Sequence, residues 1–292
     1  MIESDYPLVS IITPVYNGAK YLPDLITSVQ NQDYPNFEHI IIDDGSNDSG
    51  ATVEVLKGHP HLRWWSHENR GQYASMNEGL DVARGEIICF ISADDFMQPG
   101  AVSNIVGWLN VNPGYDGVYG TTRYISEAGE SLPIKHSVRK SSIRNYPYYA
   151  HIQHCSLYLY KNTLIQKKLI FNPEVRYVGD YDWIIRLIKT GLRIGFIDQE
   201  LSTIRRHSDQ ISSINSLLMK KEQFRIARLH GYGGPDFFFH INLLRLLNLA
   251  DRSHAEFQKG GVKQVCQYLI SWTNEKVISP FNKLWNRKKF SK

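Results

Sequence analysis

Apolar and polar positions alternate in short blocks over residues 6–112, and each block reads as one element of secondary structure. Leu8-Val9-Ser10-Ile11-Ile12-Thr13 is β-branched and strand-like, and Pro14, which has no amide hydrogen to give a central ladder, is expected to end it. Leu22, Leu25, Ile26 and Val29 then recur at helical spacing within a helix predicted from Ala19 to about Gln32. A second strand, Phe37 to Ile42, leads through Asp43-Asp44-Gly45-Ser46-Asn47-Asp48-Ser49 into a helix over Ala51 to Lys57, with Asp48 and Ser49 as cap residues. Leu62 to Ser66 is a weaker strand. The polar run Glu68-Asn69-Arg70-Gly71-Gln72 opens a helix through Met76, Leu80, Val82 and Ala83.

The next strand organises the rest. Ile87-Ile88-Cys89-Phe90-Ile91 is a continuous apolar run, as expected of a strand buried on both faces, and Ser92-Ala93-Asp94-Asp95 stands at its carboxyl end. Alternating strands and helices predict a mostly parallel, doubly wound sheet, in which ligands bind outside the carboxyl ends of the strands. Three loops should therefore gather there: Pro14 to Gly18, Asp43 to Ser46 and Ser92 to Asp95. By themselves the two acids also fit an Asx turn or helix cap, because Pro99 can open a helix from Ala101 to Leu109.

After Pro113 the pattern changes. Gly117 to Ile125 and Ser156 to Tyr160 are β-rich runs divided by polar and aromatic stretches, so this half is expected to be mixed or antiparallel. Asp180-Tyr181-Asp182 begins a helix with an apolar face of Trp183, Ile184, Leu187 and Ile188, its acids suiting the positive end of the helix dipole. Arg186 is one turn from Asp182, at ion-pair spacing. Arg193 to Ile197 and Leu201 to Arg205 read as two short strands, and Gly231-Tyr232-Gly233-Gly234-Pro235 as a linker. The expected organisation is a main domain over 1–230, divided near 112 into two halves, and a helical extension over 231–292.

Bulk properties narrow the class. The chain of 292 residues, 42% hydrophobic, is long enough for one large core and an appendage. Three scattered cysteines, Cys89, Cys155 and Cys266, form no metal or redox motif and fit a reducing compartment. A net charge of +4 gives no case for nucleic acid as a partner. The first residues lack the pattern of a secretory signal, and no window has the apolar length of a membrane span, so a cytoplasmic location is expected. Phe237 to Leu249 carries an apolar surface, and Lys283 to Lys292 holds five basic residues and no acid. Those features fit peripheral contact with an anionic membrane, or helices packed on the main domain with a solvated basic end.

Taken in order, Pro14-Val15-Tyr16-Asn17, Ile40-Ile41-Ile42-Asp43-Asp44-Gly45-Ser46, Gly79 to Gly85, Phe90-Ile91-Ser92-Ala93-Asp94-Asp95, Gly179-Asp180-Tyr181-Asp182-Trp183 and Arg205-Arg206-His207 resemble the family-2 glycosyltransferases of GT-A fold. The resemblance covers about residues 6–215. It implies a Rossmann-like α/β sheet, mostly parallel with a smaller antiparallel acceptor-side part, and inverting transfer from a nucleotide-diphospho-sugar, UDP-sugar favoured, to a glycan or lipid-linked acceptor. It implies Mn²⁺ or Mg²⁺, since a hard cation with oxygen ligands offsets charge on a departing diphosphate.

By the same resemblance Asp95 is the metal ligand, completed by His207, and Asp94 faces the ribose or donor sugar. Asp43 and Asp44 hold the nucleoside, Pro14, Val15, Tyr16 and Asn17 frame it, and Asn77 lines the cleft with Asn69 and Arg70. Asp180 is the base and Asp182 its rival. Two positions depart from the family pattern: Ala93 stands where many relatives carry a further acid, and Gly179 where the family has Glu before Asp. Two other functions remain: a sugar nucleotidyltransferase, for which Pro14 to Ala19 is short of glycine and cations, and a non-catalytic nucleotide-sugar or glycan-binding protein.

Overall fold

A computed structural model describes residues 6–132, 143, 146–150 and 152–232. The chain divides into two units, Met1–Gly233 and Gly234–Lys292, and every described residue belongs to the first. The expected apolar and basic extension thus lies, beyond Tyr232, outside the described residues. Among the described residues no helix is long and apolar enough to cross a membrane.

The elements follow as β1 (Val9–Val15), α1 (Leu22–Gln30), β2 (Phe37–Asp43), α2 (Ala51–Lys57), β3 (Arg63–Ser66), α3 (Gln72–Val82), β4 (Ile87–Phe90), β5 (Phe96–Met97), α4 (Ala101–Val111) and β6 (Gly117–Ser126). After these come α5 (Tyr146–Tyr149), a 3₁₀ turn (His154–Ser156), β7 (Leu157–Tyr160), α6 (Lys161–Gln166), α7 (Gly179–Lys189), β8 (Ile194–Arg206), α8 (Ile211–Ile214) and α9 (Ser216–Leu229). One eight-stranded sheet runs in the order β3-β2-β1-β4-β7-β6-β8-β5. The β3-β2-β1-β4 portion is parallel; β7 is antiparallel to both β4 and β6, β6 and β8 are parallel, and β5 is antiparallel to β8. The chain leaves β1 toward β2 and β3 on one side and returns to β4 on the other, which puts the topological switch point between β1 and β4.

Helices cover both faces, and the side-chain alternation of each strand serves the two. Ile11, Ile41 and Cys89 join one cluster with Leu22, Leu25, Ile26 and Val29 of α1, Leu56 of α2 and Val102, Ile105, Val106 and Leu109 of α4. On the opposite face α3 packs so closely that a Cβ on Gly79 would stand 2.4 Å from a methyl of Ile12. There Phe90 meets Phe171 and Trp183 edge-on at 5.0 and 5.5 Å between ring centres, and Phe171 stacks on Trp183 at 4.4 Å.

Two expectations are corrected by the structure. β1 continues through Pro14 to Val15 instead of stopping. Val15 O accepts from Asp44 N on the β2 side and Ile12 O accepts from Ile91 N on the β4 side, so alternation turns the Pro14 nitrogen toward β4. Pairing with β4 has already ended at Ile12, and the missing amide hydrogen costs no ladder bond. The two short strands expected over 193–205 are one long strand, β8, whose register to β6 shifts between Tyr119 and Thr122. The polar residues Asp198, Gln199 and Glu200, which read as a break, lie exposed in its middle. β5, α5, α6, α8 and α9 were not anticipated: two residues of strand or a single helical turn carry no periodic signal, and exposed Leu217, Leu218 and Leu229 blur the pattern of α9.

Candidate active site

The three loops converge at the switch point. Asp44 N donates to Val15 O at 2.8 Å, Asn17 N to Ser46 Oγ at 2.8 Å and Gly18 N to Thr52 Oγ1 at 2.9 Å. A Cβ on Gly18 would stand 3.5 Å from that of Ala93, so the β4 loop closes against the β1 loop.

Within this corner the acids have distinct surroundings. Asp43 is buried and accepts from Ser46 N and Oγ, at 3.2 and 2.5 Å. Asp44 is buried as well, and its two oxygens accept from Arg70 N at 2.7 Å and Gly71 N at 2.9 Å, which makes it the anchor of the loop entering α3. Tyr16 is 48% exposed and presents its ring to solvent beside these acids. Asn17, at φ +52°, spends its amide on Asn47, donating at 2.7 Å and accepting at 2.8 Å, and so fastens the first loop to the second. Asn77 is engaged likewise: it donates to Phe171 O at 2.9 Å and accepts from Phe171 N at 2.8 Å, bracing the segment that carries the aromatic cluster. Arg70 is ion-paired with Glu78.

Asp94 and Asp95, adjacent in sequence, differ in environment. Asp95 is 4% exposed; burial and the neighbouring Asp94 charge push its carboxyl well above the usual range, against a 3.3 Å hydrogen bond from Arg205 N. Burial acts the same way on Asp94, but hydrogen bonds from His207 and Gln210 outweigh it and hold that carboxyl below its ordinary value. His207 Nε2 stands 3.1 Å from Asp94 Oδ2 and Gln210 Nε2 donates to the same oxygen at 3.0 Å. The structure therefore brings His207 directly to Asp94, the acid expected on the donor, while Asp95 faces the β8 backbone. The Tyr21 ring packs at a tilt of 43° against the His207 ring, 4.6 Å between centres, and the Arg205 guanidinium lies over the Tyr21 ring at 5.0 Å. Neither Gln210 nor Tyr21 was singled out from the sequence; Gln210 lies three residues beyond His207, which is the one local signal for it.

A divalent cation fits this corner in its chemistry. The carboxyl of Asp95 is buried, with the Arg206 and Arg205 charges only partly offsetting the effect of burial, and among the described residues the buried atoms His207 Nδ1 and Gln210 Oε1 have no hydrogen-bond partner. Among the described residues no three His, Cys, Asp or Glu side chains form a group that could hold a metal ion by themselves.

Across from these loops, α7 presents Asp180 in its first turn. Asp180 Oδ1 accepts from Tyr181 N at 2.8 Å, and the side chain is 32% exposed. Asp182 is enclosed instead: Arg186 Nε donates to it at 2.8 Å, at the expected i, i+4 spacing, and His230 Nε2 lies 2.8 Å from its other oxygen. One oxygen is thus used within α7 and the other ties α7 to the end of α9. Glu222 of α9 accepts from Arg176, Tyr177 and Val178 N at 3.2, 2.7 and 3.2 Å, and so fixes the backbone just ahead of Asp180. Gly179 has a packing reason: a Cβ there would lie 2.6 Å from the ring of Tyr73.

Comparison with known proteins agrees with this geometry. Residues 10–169 match the model of Glycosyl transferase family 2, and the chain belongs to that family. A glycosyltransferase of Rickettsia typhi, described as uncharacterized, is 27% identical over 288 residues, 94% of this chain and 87% of that protein. Another from Rickettsia felis is 34% identical over 212 residues, 70% of this chain but only 35% of the longer relative. Among solved structures, the TarS 1-349 fragment from S. aureus in complex with UDP-GlcNAc is similar at a TM-score of 0.63 and 19% identity, over 76% of this chain and 65% of that one. The mannosyltransferase PcManGT from Pyrobaculum calidifontis, in complex with GDP-Man and Mn²⁺, is similar at 0.61 and 20% identity, over 96% and 84%. At these identities the two structures establish the GT-A fold.

Proposed function

We propose that this chain is an inverting glycosyltransferase that moves a sugar from a nucleotide-diphospho-sugar, with UDP-sugar favoured, to a glycan or lipid-linked acceptor in polysaccharide or glycoconjugate assembly. The observation that carries this reading is the placement of Asp94 and Asp95 at the switch-point corner of the sheet, with the partly exposed carboxylate of Asp180 on the separate helix α7. The nucleotide-sugar complexes of TarS and PcManGT support the choice of donor class.

In this reading the acceptor hydroxyl attacks the anomeric carbon from the side opposite the diphosphate, Asp180 takes the hydroxyl proton, and the nucleoside diphosphate leaves with the bonding electrons. One base suffices for such a displacement. Asp95, with His207 and Asp94 beside it, would hold Mn²⁺ or Mg²⁺, which neutralises charge on the departing diphosphate. Asp43 and Tyr16 would meet the nucleoside. Asp44, Asn17 and Asn77 serve indirectly by holding the loops in place, since their side-chain groups already bond protein backbone or Asn47.

The nucleotidyltransferase reading is disfavoured by the first loop. The amides of Asn17 and Gly18, which a triphosphate would need, are already given to Ser46 and Thr52. The non-catalytic reading would draw on the departures at Ala93 and Gly179, and the second of these has a packing reason in the Tyr73 ring.

The test is transfer from a panel of nucleotide sugars with and without Mn²⁺, alongside Asp180→Asn. Donor-induced thermal stabilisation should persist in that variant while turnover falls at least about a hundredfold. Turnover equal to that of the unmodified protein would remove Asp180 from the role of base.

A further inference from the structure

We propose that His154 is a positioning residue for Asp180 and links it to the loop that carries Asp94 and Asp95; the inference rests on Asp180 acting as the base. His154 sits on the 3₁₀ turn before β7, outside all the motifs that point to the family. The turn is closed by Ser156 N donating to Gln153 O at 3.0 Å. It is pinned in the core by Cys155 Sγ and Ser156 Oγ, which lie 3.1 and 2.6 Å from Ser202 Oγ. The imidazole, 12% exposed, thus stands on a rigid base.

Its two nitrogens face the two halves of the site. Nε2 lies 3.2 Å from Ser92 Oγ, the first residue of the β4 loop. Nδ1 lies 3.7 Å from Asp180 Oδ2 and is buried without a hydrogen-bond partner. One tautomer satisfies both neighbours: the Ser92 hydroxyl donates to Nε2, and Nδ1–H points to the Asp180 carboxylate. Asp180 Oδ1 is already held by Tyr181 N, so a bond from Nδ1 fixes the second oxygen and the plane of the group. A shift of less than about 1 Å closes the remaining gap, in keeping with catalytic hydrogen bonds that tighten only once substrate is bound. A base oriented by a third group is the arrangement that activates a hydroxyl nucleophile.

Asparagine and glutamine separate the two contacts, because the Asn amide nitrogen overlays Nδ1 and that of Gln overlays Nε2. Expected for His154→Ala and His154→Gln is a kcat lower by about ten- to a hundredfold, as when an orienting partner is lost. The donor KM and the donor-induced shift in melting temperature should stay within about twofold of the unmodified protein. His154→Asn should retain most of the rate. Unchanged kcat in His154→Gln, equal losses in the Asn and Gln variants, or a donor KM that rises as much as kcat falls would overturn the inference. Asp180→Asn in the same assay separates the two levels. If it abolishes transfer while the His154 variants remain active, only the positioning role falls; if it leaves transfer unchanged, the base assignment falls and this role with it.

Discussion

The Cβ that Gly179 lacks would stand 2.6 Å from the aromatic ring of Tyr73. That ring is buried, stacks on Phe171 at 5.5 Å and belongs to the packing between α3 and α7. The first turn of α7 can approach α3 this closely only without a side chain. Gly179→Ala should therefore cost about 1–3 kcal/mol by overpacking, read as a lower midpoint in urea unfolding. Gly179→Glu, which restores the acid common in the family, should lower stability further and yield no gain in transfer. A variant of either kind as stable as the unmodified protein would show that Tyr73 yields.

Asp182 is expected to matter for stability and not for chemistry. It lies two residues from the candidate base, yet Arg186 and His230 occupy its oxygens at 2.8 Å each. Asp182→Ala removes the shared acceptor and leaves both partners unpaired, at a cost of about 2 kcal/mol given the partial exposure of Arg186. The kcat of the folded fraction should stay within about threefold of the unmodified enzyme, a margin far smaller than loss of a base produces. A loss as large as that of Asp180→Asn would return Asp182 to the catalytic role.

His39 predicts a pH dependence of folding away from the site. It is buried on β2, its ring nitrogen Nε2 3.1 Å from Thr13 Oγ1 and Nδ1 unpartnered. Burial, with a smaller effect of nearby His61, pushes its pKa down to about 3. The unfolded chain takes up a proton near pH 6.5 that the folded chain refuses, so stability is lost as pH falls from about 6.5 toward 3. Between about pH 7 and pH 5 this amounts to about 2 kcal/mol. His39→Gln should flatten the change in unfolding free energy across that interval by about this amount, and an unaltered slope would show that His39 is not its source.

The local fold was legible where one face of an element is apolar and the other polar. The α1 positions Leu22, Leu25, Ile26 and Val29 are all fully buried, α2 begins and ends where its pattern does, and Ile87 to Phe90 is buried throughout. The departures arise where a residue's cost depends on its neighbours. Pro14 ends a strand only if a partner needs its amide, and β4 has none to offer there. Asp198 to Glu200 break a strand only if both faces must be buried, and β8 leaves them to solvent.

The candidate site divides in the same way. The order of motifs along the chain is enough to place it in the glycosyl transferase family and to set the acids at strand ends, because a strand followed by a crossover helix fixes which end each loop occupies. Only the tertiary structure decided what each side chain touches. Asp44 bonds the backbone of Arg70 and Gly71, Asn77 that of Phe171, and His207 meets Asp94; Gln210 joins it, and His154 stands between Ser92 and Asp180. These pairs are separated by 26 to 116 positions in the chain. No local periodicity encodes such a contact, because it comes from the packing of distant elements around one sheet, where burial leaves each polar group bonded to whatever the fold has brought beside it.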